Sequence, residues 1–431
     1  MDFQAVKGTR DFYPAEMAVR NYLVDAWRRV SLRNGFEEFD GPVLEYLDLY
    51  RVKSGDEIVS QLFAFTDRGG RQLAMRPEMT PTLARMINAR VNSLPRPIKW
   101  FCLSNVFRAE NPQRGRSREF FQWNIDIIGS DQALADAEGV FVAVDLLAEL
   151  GLASNDVVVR YSSRRLLAAV LTGLGLAADA IPAVLAVLDK RGKLPDPAFA
   201  EMLEKVVPAE DTRESIRKFL DLRQMESAEE LAADLCILAS EELRLALEDL
   251  RQFQQALRSF GIEAWCRYDT GIVRGLAYYT GIVYEIYDRS ETLRALAGGG
   301  RYDNLLEVLG GPKIGATGFG MGDVVLGILL AEKGKLPDLA SRLDCFVVTG
   351  EAALQDQVLQ TVGALRRGGV ATDFSPKARN LSKLLKDAAG RRARYAVIVR
   401  AESLAVKNLT TGEQIDVPAG EFLRQPKKFL A

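Results

Sequence analysis

Residues 98–129 constrain this chain more than any other stretch. Two apolar runs of strand character, IKWFCLSNVF (98–107) and FFQWNIDIIG (120–129), enclose a turn marked by Pro112 and Gly115. Arg108, Glu110, Arg114, Arg116, Arg118 and Glu119 crowd that turn, and Phe120 and Phe121 follow it. A surface hairpin has no use for so many guanidiniums beside two aromatic rings, but a site that grips a nucleoside triphosphate does. Guanidiniums make paired hydrogen bonds to phosphate oxygens, and a phenyl face stacks on a purine. Read as strand through residue 110, the segment puts Arg108 and Glu110 on one face, because side chains alternate along a strand. That face offers a cation for phosphate and a carboxylate for an exocyclic amine.

The rest of the chain reads as alternating blocks. A helix is predicted over 15–34, where Met17, Leu23, Trp27 and Val30 recur near helical spacing and Gly35 supplies a stop. Residues 63–75 read as strand, Gly-Gly turn and strand. Helices are predicted from the Arg76-Pro77-Glu78-Met79-Thr80-Pro81 start through Met86, and over 133–150. Residues 164–258 are helical in pattern almost throughout and lie between strand-rich blocks, which makes them an insertion. Strand signals return at 263–287, and glycine-rich segments follow at 297–322. A linker is expected at 331–342, and a small α/β domain at 343–431.

Composition removes several classes of function. The 431 residues include no histidine, which excludes the commonest general base, Ser-His and Cys-His nucleophile pairs and any His-ligated metal. The chemistry must run on Arg, Lys, Asp, Glu, Tyr and bound metal. A net charge of −2 excludes a strongly basic nucleic-acid coat but leaves room for a local basic patch. Cys102, Cys236, Cys266 and Cys345 form no CxxC pair and read as reduced, mostly buried thiols. No apolar run is long enough to span a membrane, and the first residues have no signal-peptide core, so a cytoplasmic location is expected.

The segment FRAENPQRGRSREFFQ (107–122) resembles motif 2 of the class II aminoacyl-tRNA synthetases, in the form that histidyl-tRNA synthetases use. KGTRDFYP (7–14), MRPEMT (75–80), VRGLAYYTG (273–281), AGGGRYDNL (297–305) and VKNLTTGEQ (406–414) resemble further segments of that family in the same order. Pro42 stands where the family's dimer-interface proline is expected. The resemblance implies an α+β fold. A class II catalytic core over 1–330, an antiparallel sheet with flanking helices, would carry the helical insertion at about 165–255, and an α/β anticodon-binding domain would occupy 343–431. It implies a homodimer that adenylates histidine with ATP and Mg2+ and transfers it to tRNA(His).

Roles carry over residue by residue. Arg108 matches the motif 2 arginine on the α-phosphate, Glu110 the group that reads the adenine amine, Phe120 the ring stacked on adenine, and Arg116 the loop arginine near the terminal phosphates. Arg274 matches the family's histidine-specific arginine, which acts at the α-phosphate. Glu78, Thr80, Gln122, Asp126, Tyr278, Tyr279 and Tyr302, with Arg274, match positions around the amino acid. Gln113 and Arg118 match positions near the end of the tRNA acceptor stem. No protein-held metal is expected. Arg366, Arg367, Lys377, Arg379, Lys383, Lys386, Arg391, Arg392 and Arg394 form a basic set suited to an RNA backbone, with Lys383 and Arg391 the leading candidates.

Several positions depart from the family pattern, among them Val324, where motif 3 has a glutamate. Asp126 and Ala277 stand where many relatives have Glu and Asp. More consequential is GFGMGDVVL (318–326), which aligns with the motif 3 pattern GFAMGLERL and puts Val325 where an arginine would hold the ATP γ-phosphate. Losing such a charge-assisted contact costs about 1.5–3 kcal/mol. Arg114, Arg116 and Arg118 are the expected substitutes. The alternative is a catalytically inactive, synthetase-like regulatory subunit of ATP phosphoribosyltransferase.

Overall fold

The computed structural model describes residues 3–51, 62–191, 194–222, 227–274, 278–339 and 343–430. Two compact units divide the chain, residues 1–12 with 19–337 and residues 13–18 with 338–431.

Among the described residues the first unit has eleven strands: β1 (Glu37–Glu38), β2 (Leu44–Tyr46), β3 (Ala64–Thr66), β4 (Gln72–Met75), β5 (Ile98–Phe107), β6 (Glu119–Ile128), β7 (Val157–Ser163), β8 (Cys266–Tyr268), β9 (Ile282–Asp288), β10 (Ala297–Arg301) and β11 (Ala316–Gly322). Eight form one sheet in the order β1-β5-β6-β11-β10-β9-β7-β8. Pairing is antiparallel from β5 through β7 and parallel at the two edges. The class II architecture implied by the sequence is present. A three-stranded sheet, β2-β4-β3, contains the expected strand, Gly-Gly turn and strand.

Period-two alternation decides what each face of the large sheet does. Along β6, Trp123, Ile125 and Ile127 enter the main core. Their neighbours Gln122, Asn124 and Asp126 line a cavity on the opposite face. Along β9, Ile282, Tyr284 and Ile286 enter the core, and Glu285 and Tyr287 line the cavity. Helices α1 (Pro14–Arg33), α2 (Thr80–Arg90) and α3 (Ala133–Glu149) lie at this sheet. Trp27 of α1 and Trp123 are fully buried, with ring centroids 6.3 Å apart. Among the described residues the expected helical segment holds six helices from Arg164 to Ser259, and the last of them, Glu241–Ser259, packs along α3.

Two expectations need correction. Strand β5 ends at Phe107, so Arg108 and Glu110 do not alternate on a strand. Arg108 N–H still bonds to the Arg118 carbonyl at 2.8 Å, but Arg118 N–H donates outward to the Gly8 carbonyl, also at 2.8 Å. The ladder therefore stops and the turn widens. The linker also starts late, because the helix Asp323–Glu332 runs through its first two residues.

In the second unit, β12 (Cys345–Val348), β13 (Thr372–Phe374), β14 (Tyr395–Val399), β15 (Ser403–Asn408) and β16 (Gln414–Pro418) form a sheet in the order β13-β12-β14-β15-β16. Its first three strands are parallel, and β15 and β16 are added antiparallel. Helices Gln355–Arg367 and Leu381–Gly390 fill the crossovers. Cys102 and Cys345 are buried, while Cys266 is half-buried and Cys236 exposed.

Candidate active site

The polar face of the large sheet floors a cavity of about 750 Å³, the size of a small-molecule site. Among the predicted residues, Glu78, Thr80, Arg108, Glu110, Arg116, Phe120, Gln122, Asp126, Arg274, Tyr278, Tyr279 and Tyr302 all line it. They come from four separated stretches of sequence that only the sheet brings together.

The motif 2 residues occupy one wall. Arg108 Nε donates to the Pro77 carbonyl at 3.1 Å, and its guanidinium stands 5.3 Å from the Phe120 ring centroid. Arg116 is paired with Glu110. Arg118 turns away, donating to the carbonyls of Glu110 at 3.0 Å and Lys7 at 3.3 Å. Arg114 is exposed and paired with Glu332. Of the three expected substitutes for the missing motif 3 arginine, only Arg116 lines the cavity.

At the other end the Tyr302 hydroxyl donates to Asp126, and both residues are 2% exposed. Tyr278 hydroxyl reaches Glu78 Oε2 at 3.4 Å, and its ring meets Tyr302 edge-on at 5.9 Å. Burial raises the pKa of Tyr278 and Tyr302 well above the ordinary phenol range, so both stay protonated.

Arg274 spans the middle. Nη1 donates to Glu285 at 2.7 Å, and the guanidinium lies 5.6 Å from the Tyr279 ring centroid. Burial pulls its pKa down, but Tyr279 and Glu285 outweigh that and raise it, so the cation is permanent. Its backbone sits at φ +62°, a left-handed conformation uncommon for a residue with a side chain. Gly298 of β10 makes room for it: a Cβ there would lie within 2.5 Å of Arg274 Cζ. Gly320 does the same for Gln122, whose Nε2 would lie 2.5 Å from an added Cβ. Ala277 lies outside the described residues.

Three polar atoms at this floor, Gln122 Oε1, Asn124 Oδ1 and Arg274 Nε, are buried with no hydrogen-bond partner among the described residues. Buried polar groups are normally satisfied, so an acceptor and donor set facing one cavity marks a ligand site. Sequence reading missed Asn124, Glu285, Tyr287 and Arg294. The alternation NIDI and YEIY carried a signal for the first three, a polar residue inside each apolar strand.

The motif 3 region is rebuilt. Val325 is 6% exposed, lines the cavity and packs beside Gly115 of the turn. Asp323 accepts from Arg10 Nη2 at 2.8 Å and from Phe121 N–H at 3.0 Å. Burial pushes the Asp323 carboxyl above its usual range, against the opposing pull of Arg10.

Residues 8–322 match the family model for histidyl-tRNA synthetase, ending one residue before Asp323. The chain belongs to the histidyl-tRNA synthetase family. Residues 344–428 match an anticodon binding domain. The chain is 40% identical over 435 residues to the histidine–tRNA ligase of Opitutus terrae, covering 100% of this chain and 99% of that relative. In three dimensions it resembles histidyl-tRNA synthetase from Nostoc sp. PCC 7120, with a TM-score of 0.81, 24% identity and 99% of each chain covered. It also resembles an ATP phosphoribosyltransferase regulatory subunit/histidyl-tRNA synthetase from Bacillus halodurans, with a TM-score of 0.75, 22% identity, and 93% of this chain and 100% of that one covered. Likeness at such identities concerns the fold. The family's segments at 75–80, 107–122, 273–281 and 297–305 each contribute residues to the cavity described above.

The candidate RNA-contacting residues are less uniform. Gln113 is exposed and accepts from Arg294. In the second unit Lys383 is exposed on the helix Leu381–Gly390, while Arg391 pairs with Asp373 and stands 5.7 Å from the Phe346 ring centroid.

Proposed function

We propose that this chain is a histidine–tRNA ligase in which the cavity binds ATP against Arg108, Glu110, Arg116 and Phe120 and histidine against Glu78, Thr80, Gln122, Asp126, Tyr278, Tyr279 and Tyr302. The observation that carries this reading is the position of Arg274, a permanent cation on the cavity floor between the two groups. A histidine carboxylate oxygen attacks the α-phosphorus of ATP. A carboxyl–phosphate bond forms, the bridging bond to the β-phosphate breaks, and pyrophosphate leaves with the electron pair. Arg108 and Arg274 stabilise the charge that builds on the α-phosphate oxygens, a task for fixed, pre-oriented donors. The tRNA 3′-terminal hydroxyl then attacks the carbonyl and AMP leaves. In the first step Asp126, held by Tyr302, accepts from one imidazole nitrogen.

Among the described residues no three acidic or sulfur ligands converge to hold a metal. Glu110 and Glu285 are already engaged by Arg116 and Arg274. Mg2+ in this reading enters with the triphosphate. The homodimer is supported by apolar side chains left exposed on and beside the small sheet, Val43, Leu44, Tyr46 and Phe65, next to Pro42. No helix among the described residues is long and apolar enough to cross a membrane, and a cytoplasmic site of action fits this activity. Gln113, Arg118, Lys383 and Arg391 are the proposed tRNA contacts.

Val325 favours one other reading, a regulatory subunit that binds histidine without activating it. Histidine-dependent ATP–pyrophosphate exchange, run with a panel of amino acids, separates the two. Exchange with histidine alone supports the ligase, and its absence supports the regulator.

A further inference from the structure

Among the described residues four arginines line the cavity: Arg108, Arg116, Arg274 and Arg294. Arg116 faces Glu110 and Arg274 faces Glu285, so each brings a charge already partly neutralised. Arg108 is tied to the Pro77 carbonyl beside Phe120. Arg294 differs from all three. It is exposed, and among the described residues it pairs with no carboxylate; Nη2 donates to the neutral Gln113 Oε1 at 2.6 Å. Gln113 is bonded through its backbone to Arg116, N to O at 3.0 Å and O to N at 2.9 Å. Arg294 and Arg116 therefore stand at one place, the rim of the turn. Val325, not an arginine, packs beside Gly115 of the same turn and lines the cavity.

We propose that Arg294 binds the terminal phosphates of ATP, the part that leaves as pyrophosphate. This rests on reading the cavity as an ATP site. A triphosphate carries several negative charges, and Arg108 and Arg274 are more buried than Arg294. The outermost cation meets the outermost phosphates. A guanidinium has five N–H donors; the Gln113 bond uses one and fixes the plane, leaving the others for phosphate oxygens. Arg294 takes no part in bond making. It holds the leaving group while the bridging oxygen takes up the electron pair.

The test is calorimetric titration of the full-length protein with ATP, AMP and inorganic pyrophosphate, for the wild type, Arg294→Ala and Arg294→Lys. Arg294→Ala should weaken ATP and pyrophosphate roughly 10- to 100-fold, the size of a lost charge-assisted contact. AMP has no terminal phosphates and should change less than about twofold. Arg294→Lys should recover part of the loss. In exchange assays the ATP KM should rise and the histidine KM hold. Equal weakening of ATP and AMP, or unchanged ATP affinity, overturns the assignment. Binding is read without turnover, so wild type lacking histidine-dependent exchange would remove the ligase reading, and the ATP–AMP comparison would still decide the role of Arg294.

Discussion

The guanidinium of Arg274 lies against the bare backbone of Gly298. Gly298 pairs with Glu285 on one side and Gly320 on the other, so the partner of Arg274 and the glycine beneath it are cross-strand neighbours. Strand register, not local sequence, positions this cation. Its backbone φ is +62°.

Gly298→Ala should therefore disable the site without unfolding the sheet. The new Cβ meets a charged side chain anchored at Glu285, and the guanidinium must shift by about an ångström, a displacement that costs roughly 100-fold in rate. Exchange kcat should fall by that order while the melting temperature moves by a few degrees. Full activity would mean Arg274 has slack that the geometry does not show.

Glu285→Gln and Tyr287→Phe separate charge from packing. Glu285 accepts from Arg274 Nη1 at 2.7 Å and from Tyr287 hydroxyl at 2.5 Å. The glutamine leaves a largely buried cation without its counter-charge, which costs about 3–5 kcal/mol when the site is fully desolvated. The phenylalanine removes one hydrogen bond, about 1 kcal/mol. Denaturant midpoints should follow that order, and only Glu285→Gln should lower kcat severely.

Sequence made much of this legible where function sits on one short stretch. Arg108, Glu110, Arg116, Phe120 and Gln122 were found together because a single hairpin carries them. The same reading misplaced the strand end, since the interception of Arg118 N–H by Gly8 comes from more than a hundred positions away. Glu285 and Asn124 acquire a role only through register across β9, β10, β11 and β6. Arg294 sits in a loop with no pattern of its own, and its meaning depends on Gln113, which is 181 positions away. The terminal strands β15 and β16 were hidden because VKNLTTGEQ reads as a motif rather than as a hairpin.

Arg10 and Asp323 give a pH-dependent coupling. Asp323 is 5% exposed and Arg10 is half-buried. A double-mutant cycle with Arg10→Ala and Asp323→Asn should return about 1–3 kcal/mol at neutral pH. Burial holds the Asp323 carboxyl above its unfolded value of 3.8, so the folded state takes up its proton first as pH falls. The attraction to Arg10 needs the carboxylate. The coupling should thus be full above the raised folded value and vanish as pH drops through it. Stability of the two single and the double variants at neutral and acidic pH provides the check; a pH-independent coupling would exclude an ionic origin.

The basic residues of the second unit should not contribute equally. Lys383 is exposed with no carboxylate partner among the described residues, whereas Arg391 shares its charge with Asp373. Lys383→Glu should raise the tRNA KM and flatten its salt dependence by close to one phosphate contact. Arg391→Glu should also place two carboxylates together and lower stability. Aminoacylation at several salt concentrations measures the first effect, and thermal unfolding the second.

Tyr302→Phe tests the amino-acid end of the cavity in isolation. The Tyr302 hydroxyl donates to Asp126, and both residues are nearly closed to solvent. Removing a hydrogen bond to a buried charged group costs about 1.5–3 kcal/mol. The histidine KM should rise roughly 10- to 100-fold. The ATP KM should stay put, since Arg108, Arg116 and Phe120 lie on the other wall. Exchange kinetics with each substrate varied in turn distinguish this from a general loosening, which would raise both constants together.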